Sequence, residues 1–125
     1  MNIAEVKNIF RAEFREIADK FQIHHIRLID AKSDKTPGAA SPGVYVFIKT
    51  DKIIKVGRHL QNSRKRALEH IDADTGGKMA ALKNDESVFL ALFNINNIKD
   101  LHWVFALEVY FEQNLQPEIR SARLG

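Results

Sequence analysis

The chain contains no cysteine, and that absence removes disulfides, thiolate zinc sites and cysteine nucleophiles together. No apolar run approaches the roughly 20 residues of a membrane-spanning helix. Residues 1–5 have neither the basic start nor the apolar stretch of a secretory leader. A cytoplasmic protein without membrane contact is therefore expected. There is no phosphate-cradling glycine loop, no zinc-ligand spacing, no serine-nucleophile motif and no internal repeat. Proline is scarce: of its three residues, Pro37 and Pro42 fall in one stretch, residues 30–42. That stretch, rich also in small and polar residues, reads as a loop.

What remains is a chain of 125 residues, 45 % hydrophobic and 28 % charged, enough for one domain with a single modest core. The net charge of +3 says little, but its distribution says more. Between Lys49 and Arg66 stand Lys49, Lys52, Lys55, Arg58, Arg64, Lys65 and Arg66, against the single acid Asp51. Such a local excess collects phosphates. Lys49, Arg58, Arg64 and Lys65 are thus candidate nucleic-acid contacts; a solvated basic face is the plainer account.

Hydrophobic spacing orders the rest. Ile3, Val6, Phe10, Phe14, Ile17 and Phe21 recur at steps of three and four, predicting one amphipathic helix over residues 3–21. Residues 22–29 suit a short strand or the ragged end of that helix. The adjacent His24 and His25 would point to opposite faces of a strand and so do not chelate one ion. Residues 43–57 predict a β-hairpin. A three-residue turn at 50–52 puts Val44, Val46, Ile48, Ile54 and Val56 on one face, and Tyr45, Phe47, Lys49, Ile53 and Lys55 on the other. A two-residue turn would bury Lys55 among the valines, and register follows the buried face.

A helix capped by Asn62 or Ser63 follows, with Arg66 and His70 one turn apart on the same side. Residues 78–83 suit one more short helix. The apolar run 87–95 predicts a central strand covered on both faces. The last helix, 98–116, carries Leu101, Val104, Phe105, Glu108, Phe111 and Leu115 on one stripe, and Pro117 ends it. A carboxylate inside such a stripe is costly unless paired, hydrogen-bonded or metal-bound. Glu108 is therefore either a structural acid paired with Arg66 or another base, or a functional group.

Together these side chains suit phosphodiester hydrolysis, which needs a base for water and cations around the phosphoryl oxygens. Tyr45 supplies an oxygen base if its phenol is acidified, for which Lys55 and His70 are the candidates. Arg66 offers a fork of donors to a phosphate, and Glu108 an oxygen ligand for one Mg²⁺ or Mn²⁺.

At these positions the chain resembles the GIY-YIG endonuclease family. Gly43-Val44-Tyr45 resembles the first signature tripeptide and Lys55-Val56-Gly57 the second, with lysine in place of tyrosine, as in some restriction enzymes of the family. The stretch 62–66, NSRKR, resembles the helix bearing the family's catalytic arginine, here Arg66. His70 matches a position of tyrosine or histidine. Leu107-Glu108, with Pro117 nine residues after the glutamate, resembles the family's ending. Where members commonly carry asparagine shortly after that proline, this chain has Arg120.

The resemblance covers roughly residues 41–120. It implies an α+β fold with a small three-stranded, mainly antiparallel sheet flanked by helices, to which residues 1–40 add an N-terminal helix and loop. It also implies a DNA endonuclease in which Tyr45 activates water, Glu108 holds one divalent ion, and Arg66 and Lys55 stabilise the phosphate. The alternative is a non-catalytic nucleic-acid-binding module that keeps the fold. A homodimer is one way for so small a site to cut both strands.

Overall fold

The computed structural model describes residues 1–121. Its α+β architecture is a four-stranded antiparallel sheet with helices on both faces. Helix α1 (Ile3–Glu13) is followed by a stretch of 3₁₀ helix (Arg15–Lys20) and strand β1 (Phe21–Arg27). The hairpin is β2 (Gly43–Lys49) and β3 (Lys52–His59), and it leads into α2 (Ser63–Asp72). Strand β4 (Val88–Ile95) and helix α3 (Leu101–Leu115) complete the chain, with 3₁₀ turns at Ala80–Leu82 and Ile98–Asp100.

Strand order is β1-β4-β2-β3, every neighbour antiparallel. The three-stranded sheet expected from sequence is thus corrected to four, because β1 pairs along its whole length with β4, from Phe21 opposite Ile95 to Arg27 opposite Phe89. The single helix expected over 3–21 is corrected with it. The α-helix ends at Glu13, and the shift to 3₁₀ geometry turns the chain into the sheet. The Asn2–Glu5 capping box sets its start. As expected, β4 is central, lying between β1 and β2 with buried residues on both faces.

The sheet divides two cores. On one face α1 and α3 bury Val6, Phe10, Val104, Leu107 and Phe111 against Val44, Val46, Ile48, Val56 and Phe93. On the other face α2 and the loops pack Ala67, Ile71, Met79 and Leu82 on Tyr45, Phe47, Leu90 and Leu92. The start of α2 is tied down by Asn94, whose Nδ2 donates to Ser63 Oγ at 2.7 Å and to the Ser41 carbonyl at 2.8 Å. Gly43 makes that approach possible, since a Cβ there would overlap the Phe93 carbonyl and crowd Asn94.

The hairpin register holds where it was needed and changes at the tip. Tyr45 faces Gly57 and Phe47 faces Lys55, as the side-chain pattern predicts, but Ile48 then faces Ile53 and Lys49 faces Lys52. The expected three-residue turn is therefore a two-residue turn plus a β-bulge at Ile54. Thr50 takes φ 53° in it. The bulge exchanges two isoleucines: Ile53 joins the aliphatic face with the valines, and Ile54 joins Tyr45 and Phe47. One extra residue thus reconciles a tight turn with keeping Lys55 out of the valine face.

Among the described residues no helix is long and apolar enough to cross a membrane.

Candidate active site

Strand β3 lies at the edge of the sheet. Part of that edge is covered by the chain after α3, where the amides of Glu118 and Ile119 donate to the carbonyls of Ile53 and Ile54 at 3.0 and 2.9 Å. Beyond that cover, at Gly57, a cleft of about 320 Å³ remains, lined by Tyr45, Lys55, Arg58, Arg66, His70, Thr75, Glu108 and Ser121. Tyr45 belongs to the α2 side of the sheet while α3 packs on the opposite side. Residues from the two layers meet here because the sheet ends here.

All five side chains expected to carry chemistry line this cleft: Tyr45, Lys55, Arg66, His70 and Glu108. Tyr45 is buried, its hydroxyl 2.6 Å from His70 Nε2, while His70 Nδ1 lies 2.7 Å from Thr75 Oγ1. A histidine with both nitrogens engaged is fixed in rotation. Burial, with Lys55 and Arg66 nearby, lowers the His70 pKa to about 4, so the imidazole is neutral near pH 7. A neutral ring has one accepting nitrogen, which suits Nε2 to accept a hydrogen bond from the Tyr45 hydroxyl while Nδ1–H donates to Thr75.

The expectation that Lys55 acidifies Tyr45 is corrected. Burial pushes the phenol well above its usual range, and Glu108 adds to that; Arg66 and Arg58 pull the other way without overcoming it. Desolvation of a phenolate outweighs the cations present. Lys55 is itself buried, and its pKa is lowered by burial against the pull of Glu112 and Glu108. Arg66 remains partly exposed, 3.5 Å from Glu69 Oε2.

Glu108 is 5 % exposed and 3.6 Å from Arg58 Nη1. Arg58 is thus an ion-pair partner of this acid, where Arg66 was one candidate. Arg58 also lies over the Phe105 ring, 4.5 Å from its centre. That half-buried guanidinium is part of the cleft wall. The other residues expected to contact nucleic acid are dispersed. Lys49 is 2.9 Å from Asp85 at the far end of the hairpin. Arg64 donates to the carbonyl of Asp34, fastening the loop before β2, and Lys65 is exposed on α2.

The residues fit a divalent ion of one kind. Among the described residues no group of three His, Cys, Asp or Glu side chains is placed to hold one. Mg²⁺ is commonly bound by one or two carboxylates with water and substrate phosphate filling the remaining positions, and Glu108 in an open cleft is a donor suited to that. It would share Glu108 with Arg58.

Sequence reasoning passed over Glu112, which is 1 % exposed. Its carboxylate is 3.1 Å from Arg120 Nε and accepts from the Ser121 amide at 2.9 Å. The signal was available, since Glu112 stands four residues after Glu108 and so on the same helix face. The role of Thr75 had no sequence signal beyond its place at the end of a helix.

Compared with known proteins, the chain matches no family model, no curated protein and no solved structure.

Proposed function

We propose that this chain is a metal-dependent endonuclease of the GIY-YIG type that hydrolyses phosphodiester bonds in DNA. The observation that carries the reading is the convergence of Tyr45, Lys55, Arg66, His70 and Glu108, from four separate elements, on one cleft at the sheet edge.

The chemistry follows from their arrangement. Neutral His70 accepts the Tyr45 proton through Nε2, and the Tyr45 oxygen in turn takes a proton from the attacking water. This relay avoids a free phenolate, which burial disfavours. Arg66 presents paired donors to the phosphoryl oxygens, and Lys55 a second cation deeper in the cleft. Glu108 would hold Mg²⁺ or Mn²⁺, which when bound would supply Lewis-acid chemistry to the phosphate. One such site nicks one strand; a double-strand cut requires two copies or two successive nicks.

A second reading is a nucleic-acid-binding module without catalysis, favoured by the Arg58–Glu108 pair, since that pair already neutralises the carboxylate. Supercoiled plasmid with Mg²⁺ or Mn²⁺, incubated beside Tyr45→Phe and Glu108→Ala, separates the two. Nicking by the wild type that both substitutions abolish supports the nuclease. Nicking that survives Glu108→Ala overturns the mechanism. Salt-sensitive binding with no cleavage of any DNA form leaves the binding module.

A further inference from the structure

Glu112 is a second buried carboxylate of α3, one that pulls the Lys55 pKa upward but to which the proposed chemistry gives no contact with substrate. Burying an acid is costly unless it is paired, so its partners bear on its purpose. One is the Ser121 amide, and Ser121 lines the cleft. Another is Arg120, whose Nε makes an ion pair with Glu112 Oε2 without hydrogen-bond alignment, with over half of the arginine side chain left exposed. The segment between is held as well: Ile119 bridges in parallel to Lys55, and its side chain enters the core beneath α2. Arg120 is thus a cation on a short, doubly anchored segment whose next residue, Ser121, lines the cleft. A contact through Nε leaves the paired Nη groups of a guanidinium to bond elsewhere.

The arrangement repeats one already described. Arg58 and Arg120 each pair with a buried glutamate of α3, and the two glutamates are one helical turn apart. The Arg58 copy lines the cleft wall and is mostly buried, whereas the Arg120 copy is displayed to solvent.

We propose that Arg120, oriented by buried Glu112, is a further substrate contact next to the cleft, binding a DNA phosphate beside the one being cut. This rests on the nuclease reading and adds a residue to it. Glu112 is the positioning residue of the pair: it touches no substrate and sets the direction of the guanidinium.

The experiment is the affinity of a fluorescent 20-base-pair duplex across a salt series, in EDTA so that no cleavage intervenes. The proteins are the wild type, Arg120→Gln, Glu112→Gln and the double variant. Loss of one phosphate contact lowers the slope of log affinity against log salt by about one, with affinity at 0.1 M salt falling about tenfold. Arg120→Gln is expected to show both. Should Arg120→Gln unfold the protein because Glu112 has lost its arginine, the double variant removes both members of that pair and is expected to show the same lowered slope. Glu112→Gln keeps the cation but frees it, so its slope is expected to stay at the wild-type value while affinity drops about threefold. A structural role alone would not separate slope from affinity in this way. If wild-type and double-variant slopes coincide, the contact is wrong and the nuclease reading stands. If the wild type binds no duplex, the reading falls and the contact falls with it.

Discussion

The Tyr45 hydroxyl and His70 Nε2 are 2.6 Å apart across the interface between β2 and α2. This contact joins the hairpin to the helix that follows it, and in the proposed mechanism it is the path of the proton away from Tyr45. Because Thr75 holds the other ring nitrogen, the histidine is oriented by a residue beyond the end of its own helix.

Replacing Tyr45 by phenylalanine is therefore expected to reduce plasmid nicking by about a hundredfold or more. Stability should fall by only about 1 kcal/mol, since one hydrogen bond is lost and the ring remains packed. Nicking rates and urea denaturation measure the two effects separately.

Acid sensitivity is expected from His70. Its pKa is about 4 in the fold against 6.5 for an ordinary histidine, so between those values the unfolded chain binds more protons. Stability then rises with pH across this window. The contribution is complete above about pH 6.5 and is lost as pH falls through the folded value. His24 and His25, also lowered by burial, act in the same direction. Denaturation at several pH values, with His70→Gln flattening part of the slope, isolates its share. The same protonation blocks the acceptor of the Tyr45 proton, so nicking should decline on the acid side and recover on return to neutrality.

Gly57 lies opposite Tyr45, and a Cβ there would overlap the Tyr45 hydroxyl and ring edge. Gly57→Ala is expected to displace the phenol from His70, destabilising by about 1–3 kcal/mol and reducing nicking by about a hundredfold through misplacement alone. A lost or shifted tyrosine–histidine contact in the spectrum of the variant, read by His70 chemical shifts, would accompany it.

Glu108→Ala leaves Arg58, whose Nε is buried with no hydrogen-bond partner among the described residues, without its carboxylate. The expected cost is about 2–3 kcal/mol, together with loss of nicking. Chelation of the divalent ion is expected to stop nicking of the wild type without that loss of stability, so thermal denaturation with and without EDTA distinguishes the two effects.

Much of the arrangement follows from local pattern. The pairing of Tyr45 with Gly57 and of Phe47 with Lys55 is dictated by keeping a lysine off an aliphatic face, and that requirement alone puts Tyr45 and Lys55 on one side of the sheet. The start of α2 at Asn62 or Ser63, of which Asn62 is the cap, the central position of the 88–95 strand and the burial of Glu108 were likewise legible, each from one residue type in one periodic setting. What was not legible depends on pairing at a distance. Whether residues 21–27 extend a helix or join a sheet is decided by the free edge of β4, and the tip bulge by which isoleucine each core admits.

The cleft divides in the same way. By itself the sequence determined which chemical groups are present: a phenol, a lysine, an arginine and an imidazole near the hairpin, and one conspicuous acid in the last helix. Only the tertiary structure decided their electrostatics. Burial raises the Tyr45 phenol and keeps His70 neutral, Arg58 pairs with Glu108, and Glu112 pairs with Arg120. Desolvation and ion pairing depend on what is packed within a few ångströms, and here those neighbours come from elements far apart along the chain.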